Sequence, residues 1–339
     1  MTSEIGSEFH KMPSEPGCGI ILPAPGRLVF SGRTAIEVVL REMSSARKAT
    51  LPSYCCDSMI EPFRKAGIGI EFYPVNHHGE LQVTLDAHSD ADILLWCNYF
   101  GFRNRMPEMG EYLNGGGVII EDITHSLFSE RPYHNQSNYL VASIRKWEPV
   151  NCGGFCSKVG GYLHQASLPE PPQEFVDLKL SAMEMKAEYL RGEMRDGKDR
   201  FLRMFADSNR WLAENYSGLG IDPWSREYLN HVDVDSQRRT RRANASVLYE
   251  ALEGKVEFLF PEDDMDCPLF VPVLIKHRDE VRKRLTENGI YCPVHWPRPK
   301  GCVSNLYERE LSLVCDQRYN TKDMERIAFV LSDAVGKFE

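Results

Sequence analysis

The sequence has no apolar run approaching the roughly 18 residues that cross a bilayer, so no membrane-spanning helix is expected. It has no excess of positive charge either. A formal net charge of −9 argues against a nucleic-acid binder, because phosphate recognition needs a basic surface. It lacks metal-ligand spacing: there is no CxxC among its ten cysteines, and Cys152 with Cys156 has no matching second pair. Most of the cysteines read as small buried apolar residues, and no metal is expected. The opening stretch MTSEIGSEFHKMPSEPG has neither the basic start nor the apolar core of a signal peptide, which points to the cytoplasm. Internal repeats and low-complexity tracts are absent as well. The one basic run, Arg238–Arg242 (RRTRR), reads as a solvated helix face, since Val247, Leu248 and Leu252 follow at helical spacing.

What is present is ordinary soluble-protein chemistry on a chain too long for one average domain. At 339 residues, a large domain with a smaller one is expected. The first half alternates strand and helix. GRLVFSGRTAIEVVLREM reads as a strand, a turn at Ser31-Gly32, and a helix with Ile36, Val39 and Leu40 on one face. KATLPSYCC reads as a short strand or loop edge stopped by Pro52, and MIEPFRKAG as a helix ended by Gly67. IGIEFYPVN, ADILLWCNYFG, GVIIEDITHS and YLVASIRK read as strands, the second a near-continuous apolar run of the kind buried in parallel sheets. This alternation implies an α/β fold, a largely parallel sheet sandwiched by helices. Residues 173–216 read as helical and charged. The segment from about Asp233 to Glu253 reads as a further helix. The rest forms an α+β C-terminal lobe closing on a helix with Thr321 as its N-cap. The division expected is an N-terminal arm over 1–27, a large domain over 28–232 and a small domain over 233–339.

In such sheets, ligands bind at the carboxyl ends of the strands. Those ends carry Ser31-Gly32, Asp122 with His125, and Ser143 with Lys146. Singly, Asp122 could cap a turn and Lys146 could extend its stem over the surface. Together they supply what pyridoxal phosphate chemistry requires. A lysine amine forms a Schiff base with the cofactor aldehyde. An aspartate pairs with the pyridinium nitrogen and keeps it protonated. A serine hydroxyl and the amides of a glycine turn at a helix start, here SGRTA, hold the phosphate.

The pieces SGRTAIEVVL, LPSYCCDSMIEPFRKAG, VIIEDITHS and ASIRKWEPVNCGGF, and more loosely NGIYCPVHWP with LSLVCDQRYNTKDMERI, stand in an order that resembles the DegT/DnrJ/EryC1/StrS sugar aminotransferases. The resemblance spans about Leu28 to Ile327. It implies the aspartate-aminotransferase-like fold type I, with pyridoxal 5'-phosphate as cofactor. It implies Lys146 as the Schiff-base lysine, Asp122 at the pyridine nitrogen and His125 beside the ring and its 3-hydroxyl. Ser143 would contact the phosphate, and Gly32, Arg33 and Thr34 would form the phosphate-binding helix start. The reaction implied moves an amino group from an amino acid, glutamate by analogy, to a keto-sugar or similar keto compound in polysaccharide or natural-product biosynthesis. The site implied lies between the two subunits of a homodimer.

Departures from the family pattern concern the substrate more than the cofactor. The aromatic residue that covers the cofactor ring is replaced by Cys56, with Tyr54 two residues earlier, so Tyr54, Cys56 or a group from elsewhere takes that place. The spacing from Ser143 to Lys146 is shorter than the family's, and the region from Trp224 to Asn230 matches poorly. His295, Trp296 and Arg318 are candidates for substrate contact. Arg145 is left facing a substrate anion, the phosphate, the partner subunit or a plain salt bridge. Two rival readings remain: another reaction type on the same cofactor, and a non-catalytic relative that binds or regulates. Retention of Lys146 disfavours the family's dehydratase branch, which carries histidine there.

Overall fold

The computed structural model describes residues 4–13, 17–23, 25–102, 104–164, 167–194 and 196–337. Its centre is a seven-stranded sheet in the order Gly26–Val29, Gly154–Lys158, Tyr139–Ser143, Val118–Asp122, Ile93–Cys97, Lys48–Pro52 and Gly69–Tyr73. Every pairing is parallel except the two made by Gly154–Lys158, which runs antiparallel to both of its neighbours. Ile93–Cys97 is buried along its whole length, as its unbroken apolar run requires when helices cover both faces. Lys48–Pro52 is a central strand rather than a loop edge. Pro52 is tolerated as its last residue, where a missing N–H costs least.

Register places the chemistry. Cys97 pairs with Asp122, and Asp122 pairs with Val141, two residues before Ser143. Gly154 opens the antiparallel strand beside Ser143 and Val29. The carboxyl ends of the six mutually parallel strands and the start of the seventh, antiparallel one therefore share one rim. On that rim Ser31 begins the helix Gly32–Glu42, its hydroxyl accepting the Thr34 amide at 3.2 Å. Ile36, Val38, Val39 and Leu40 pin the other end of this helix into the core.

The second lobe has a three-stranded antiparallel sheet (Glu257–Phe258, Val271–Leu274, Glu310–Leu313) and the helices Val234–Leu252, Arg278–Glu287 and Thr321–Val335. The cap of the closing helix is Asn320, not Thr321. The Asn320 side chain accepts the Lys322 amide, and Asp323 accepts the Asn320 amide in return. The N-terminal arm belongs partly to this lobe: Ile5–Gly6 pairs in parallel with Ile290–Tyr291, and Ile5 is buried in its core. The basic run also departs from expectation. Arg241 is fully buried, donating to the carbonyls of Pro268 and Leu269 with its guanidinium 4.5 Å from the Trp147 ring centre. Arg238 and Arg242 donate to the carbonyls of Phe128 and Asp266. Arg239 faces water as expected, while the other three arginines tie the run to the surrounding chain.

Candidate active site

A cavity opens on the rim. Around it stand Ser31, Gly32 and Arg33 from the helix start, Asp122 and His125 from one strand end, and Ser143, Arg145 and Lys146 from the next. Cys56 and Trp296 are also part of its wall.

Lys146 ends the short 3-10 turn Ile144–Lys146 that follows the strand ending at Ser143. Its Nζ stands 3.1 Å from His125 Nε2 and 5.6 Å from the centre of the Trp296 ring. The backbone amide of Phe100 donates to His125 Nδ1 at 3.0 Å. That amide is aimed by an unusual backbone, since Phe100 has φ +60° and is fully buried. A neutral imidazole whose Nδ1 accepts carries its proton on Nε2. Burial, with the charge of Lys146 next, holds His125 well below its ordinary pKa and keeps it neutral.

Asp122 is buried at its strand end, and its Oδ1 accepts the Thr124 amide at 2.8 Å. Burial raises its carboxyl above the usual range, while Thr124 and the Lys146 charge work the other way. Gly32 gives the cavity its close floor: a Cβ there would come within 3.1 Å of the Ser143 Cβ. Arg33 lines the cavity with its Nε held by Glu61 at 2.8 Å. Arg145 has a buried Nε without a hydrogen-bond partner among the described residues. Burial pulls its guanidinium below the ordinary value, with Glu8 opposing. A buried guanidinium nitrogen left without an acceptor costs free energy unless an anion meets it.

Two of the expected cofactor contacts point elsewhere. The Thr34 hydroxyl is buried and donates to the Tyr216 carbonyl at 2.8 Å, so it serves the helix and not the cavity. Tyr54 is fully buried against Tyr99, Trp296 and Tyr307 and does not line the cavity. Cys56 does line it, its Sγ 2.9 Å from the Ser58 hydroxyl. The rings available to cover a flat ligand are His125 and Trp296, 5.7 Å apart.

Behind Lys146 lies a chamber of about 500 Å³, bounded by Arg145, Lys146, His295, Arg318 and the N-terminal residues Gly6–Phe9. Arg318 is committed there. It pairs with Asp316 at 2.7 Å and donates to the carbonyls of Ser7 and Glu8. Of the substrate candidates, Trp296 therefore borders the first cavity, while His295 and Arg318 border the chamber. Phe100 and Glu310, a buried acid behind His295, were not foreseen from sequence. The signal for Glu310 was an acid opening the largely apolar run ELSLV.

No family model matches the chain and no curated protein matches it. Solved structures do. A DegT DnrJ EryC1 StrS aminotransferase from Brucella abortus aligns over 92% of this chain and 86% of its own, at 15% identity and TM-score 0.60. The sugar aminotransferase CalS13 from Micromonospora echinospora aligns over 91% and 87%, at 15% identity and TM-score 0.62. The Streptococcus pneumoniae protein Spr1654, described as a sugar aminotransferase and solved in a PLP form, aligns over 98% and 93%, at 10% identity and TM-score 0.62. At such identities the likeness is one of fold, and it extends through both lobes: the chain has the α/β architecture of these aminotransferases, with a mostly parallel sheet in the large lobe.

Proposed function

We propose that the chain is a pyridoxal-phosphate-dependent aminotransferase acting on sugars. The observation that carries this reading is the convergence of Lys146, His125 and Asp122 on the same cavity as the Ser31-Gly32 helix start. The residues present fit the cofactor. The Gly32 amide opens an eleven-residue helix whose positive end favours a phosphate, with the Ser143 hydroxyl opposite. Asp122 offers a carboxylate to a pyridine nitrogen, and His125 and Trp296 offer ring faces. Arg145 is placed to meet either the phosphate or a substrate carboxylate.

When bound, the cofactor supplies an aldehyde for Lys146 and a ring that withdraws electrons from the substrate carbon. The rest falls to this chain's residues. Lys146 Nζ, freed when an amine substrate displaces it, takes a proton from the substrate carbon and returns it one position away. His125 Nε2–H steadies the lysine by donating to its lone pair. Asp122, as a carboxylate on the cavity wall, keeps a proton on the ring nitrogen it faces. The chamber behind Lys146 gives room for a substrate larger than an amino acid.

The finer reading is glutamate as donor and a nucleotide-linked keto-sugar as acceptor, in polysaccharide or natural-product biosynthesis. It is supported by neighbours such as DesI, solved in the presence of its TDP-sugar product. A homodimer in the cytoplasm completes it.

The test is the visible spectrum of the chain with pyridoxal phosphate, beside Lys146→Ala. A protonated-imine band that disappears in the variant and is bleached by glutamate supports cofactor, lysine and donor. A band indifferent to glutamate moves the reading to another donor or another reaction on the same cofactor. No band in the folded wild-type chain removes the enzyme reading.

A further inference from the structure

Glu310 is fully buried at the start of the strand Glu310–Leu313, where an unpaired acid is costly. Its surroundings are specific. One carboxyl oxygen faces the Ser312 hydroxyl at 2.5 Å, and the other accepts the backbone amide of His295 at 2.7 Å. Ser312 Oγ in turn stands 2.7 Å from His295 Nδ1. The His295 ring borders the chamber beside Lys146, 5.6 Å from the His125 ring. The three side chains thus run in file from the core of the small lobe to the chamber wall.

We propose that Glu310, Ser312 and His295 form a proton relay that takes a proton from the ammonium group of an amine substrate in this chamber, with the His295 ring uncharged throughout. The identity of that substrate rests on the aminotransferase reading above. An amine enters as its ammonium form and must lose a proton before its nitrogen can attack. With Glu310 ionised, Ser312 donates to it and accepts from His295 Nδ1–H, which leaves a lone pair on Nε2. In the step, an ammonium N–H bond breaks and Nε2–H forms. Nδ1–H breaks and a new Ser312 O–H forms. The original Ser312 O–H breaks and Glu310 O–H forms. One proton has crossed the relay, and the imidazole has changed tautomer without becoming a cation.

The setting favours this route over a simple histidine base. Burial, then the Lys146 charge, holds His295 well below its ordinary pKa, so an imidazolium is disfavoured. Burial pushes Glu310 up to about 8, where it exchanges a proton near neutrality. The other groups that act on the relay are few. Arg278, which donates to the Glu310 backbone carbonyl at 3.0 Å, favours the carboxylate. The Tyr54 phenol and Cys292 thiol lie near Glu310. Lys146 and His125 lie near His295.

The experiment reads the His295 tautomer by nitrogen-15 NMR of the full chain labelled at histidine. The expected result is a switch from Nε2–H to Nδ1–H as pH rises through about 8, with no imidazolium. Glu310→Gln should hold one tautomer across the range, and Ser312→Ala should do the same if the first variant does not fold. A pH-independent tautomer, titration to imidazolium, or a switch that survives both substitutions overturns the relay. A second readout is the pH profile of the bleaching of the bound-cofactor band by glutamate. The variants should lose about 10²-fold in rate, and their rising limb should move up to the ionisation of the free amine. A wild-type chain that shows the switch but reacts with no amine overturns the ammonium as the proton source and the aminotransferase reading with it, while the tautomer result still stands for the relay.

Discussion

Lys146 Nζ and His125 Nε2 stand 3.1 Å apart, and the Phe100 amide fixes which of the two donates. Because Nδ1 is occupied as an acceptor, the ring proton is on Nε2, and the lysine nitrogen receives it. The contact is attractive when the nitrogen carries a lone pair and repulsive when it is an ammonium. His125 Nε2–H therefore stands where a free lysine amine can accept it. His125→Asn keeps an oxygen near the Phe100 amide but loses the donor toward Lys146. The expected outcome is a fall of about 10- to 100-fold in the rate at which glutamate bleaches the bound-cofactor band, within the usual span for a proton-handling side chain. Stopped-flow absorbance checks it. An unchanged rate would mean that the histidine only fills space.

Tyr307 ties the two lobes beneath the site. Its hydroxyl accepts the Cys55 amide at 2.9 Å and lies 3.0 Å and 2.9 Å from the carbonyls of Ser53 and Cys55. Tyr307→Phe leaves a buried amide without a partner, at a cost of about 1–3 kcal/mol. Denaturant unfolding should show a lower midpoint with an unchanged slope.

Glu148 and Glu310 each make a contribution to stability that should fall as pH rises from about 4 to about 8. Burial pushes both Glu148 and Glu310 up to about 8, against about 4.3 for a free glutamate. Within that window the unfolded chain has released these protons and the folded chain retains them. At these two groups the unfolded state thus binds fewer protons, and their share of the unfolding free energy declines with pH until the folded groups also ionise. Glu148→Gln removes one such group without touching the cavity. The variant should gain on the order of 3 kcal/mol relative to wild type between pH 5 and pH 8. Parallel melting curves at the two pH values measure the difference, and equal pH slopes would contradict it.

The sheet and most of the residues that gather on the candidate cavity were legible for one reason: both are local in sequence. Buried parallel strands announce themselves as apolar runs, and the residue that ends each run lies on the rim. That locates Asp122, His125, Ser143 and Lys146, and Gly32 follows from its turn. What was not legible depends on contacts across long separations. Nothing in SGRTA tells that the Thr34 hydroxyl turns toward the Tyr216 carbonyl, 182 positions away. Nothing in RRTRR tells that carbonyls from Pro268 and Leu269 wait for Arg241. Charge suggested solvent at that run because the partners that satisfy a buried guanidinium are backbone atoms, which composition does not show. Tyr54 stood near the right place in the chain, yet the ring packs inward where Tyr99 and Tyr307 receive it.

The glycine pair after the lysine yields the sharpest contrast. Gly153 and Gly154 are adjacent, and neither has positive φ, so alanine is conformationally allowed at both. Their surroundings differ. A Cβ on Gly153 would make ordinary contacts at 3.5 Å with Ile144 and Val150. A Cβ on Gly154 would come within 2.2 Å of the Ser31 carbonyl oxygen and 3.0 Å of the Gly32 nitrogen. Those atoms are backbone at the helix start that would receive the phosphate, and no side chain can swing aside to relieve the clash. Gly154→Ala should therefore displace the Ser31-Gly32 turn, cost about 1–3 kcal/mol in stability and weaken pyridoxal phosphate binding by at least tenfold. Gly153→Ala should bind as wild type. Titration of each variant with pyridoxal phosphate, followed at the visible band, decides the matter. Equal affinities in the two variants would mean that the phosphate does not sit at Gly32, and the cradle would have to be sought among the residues around Arg145.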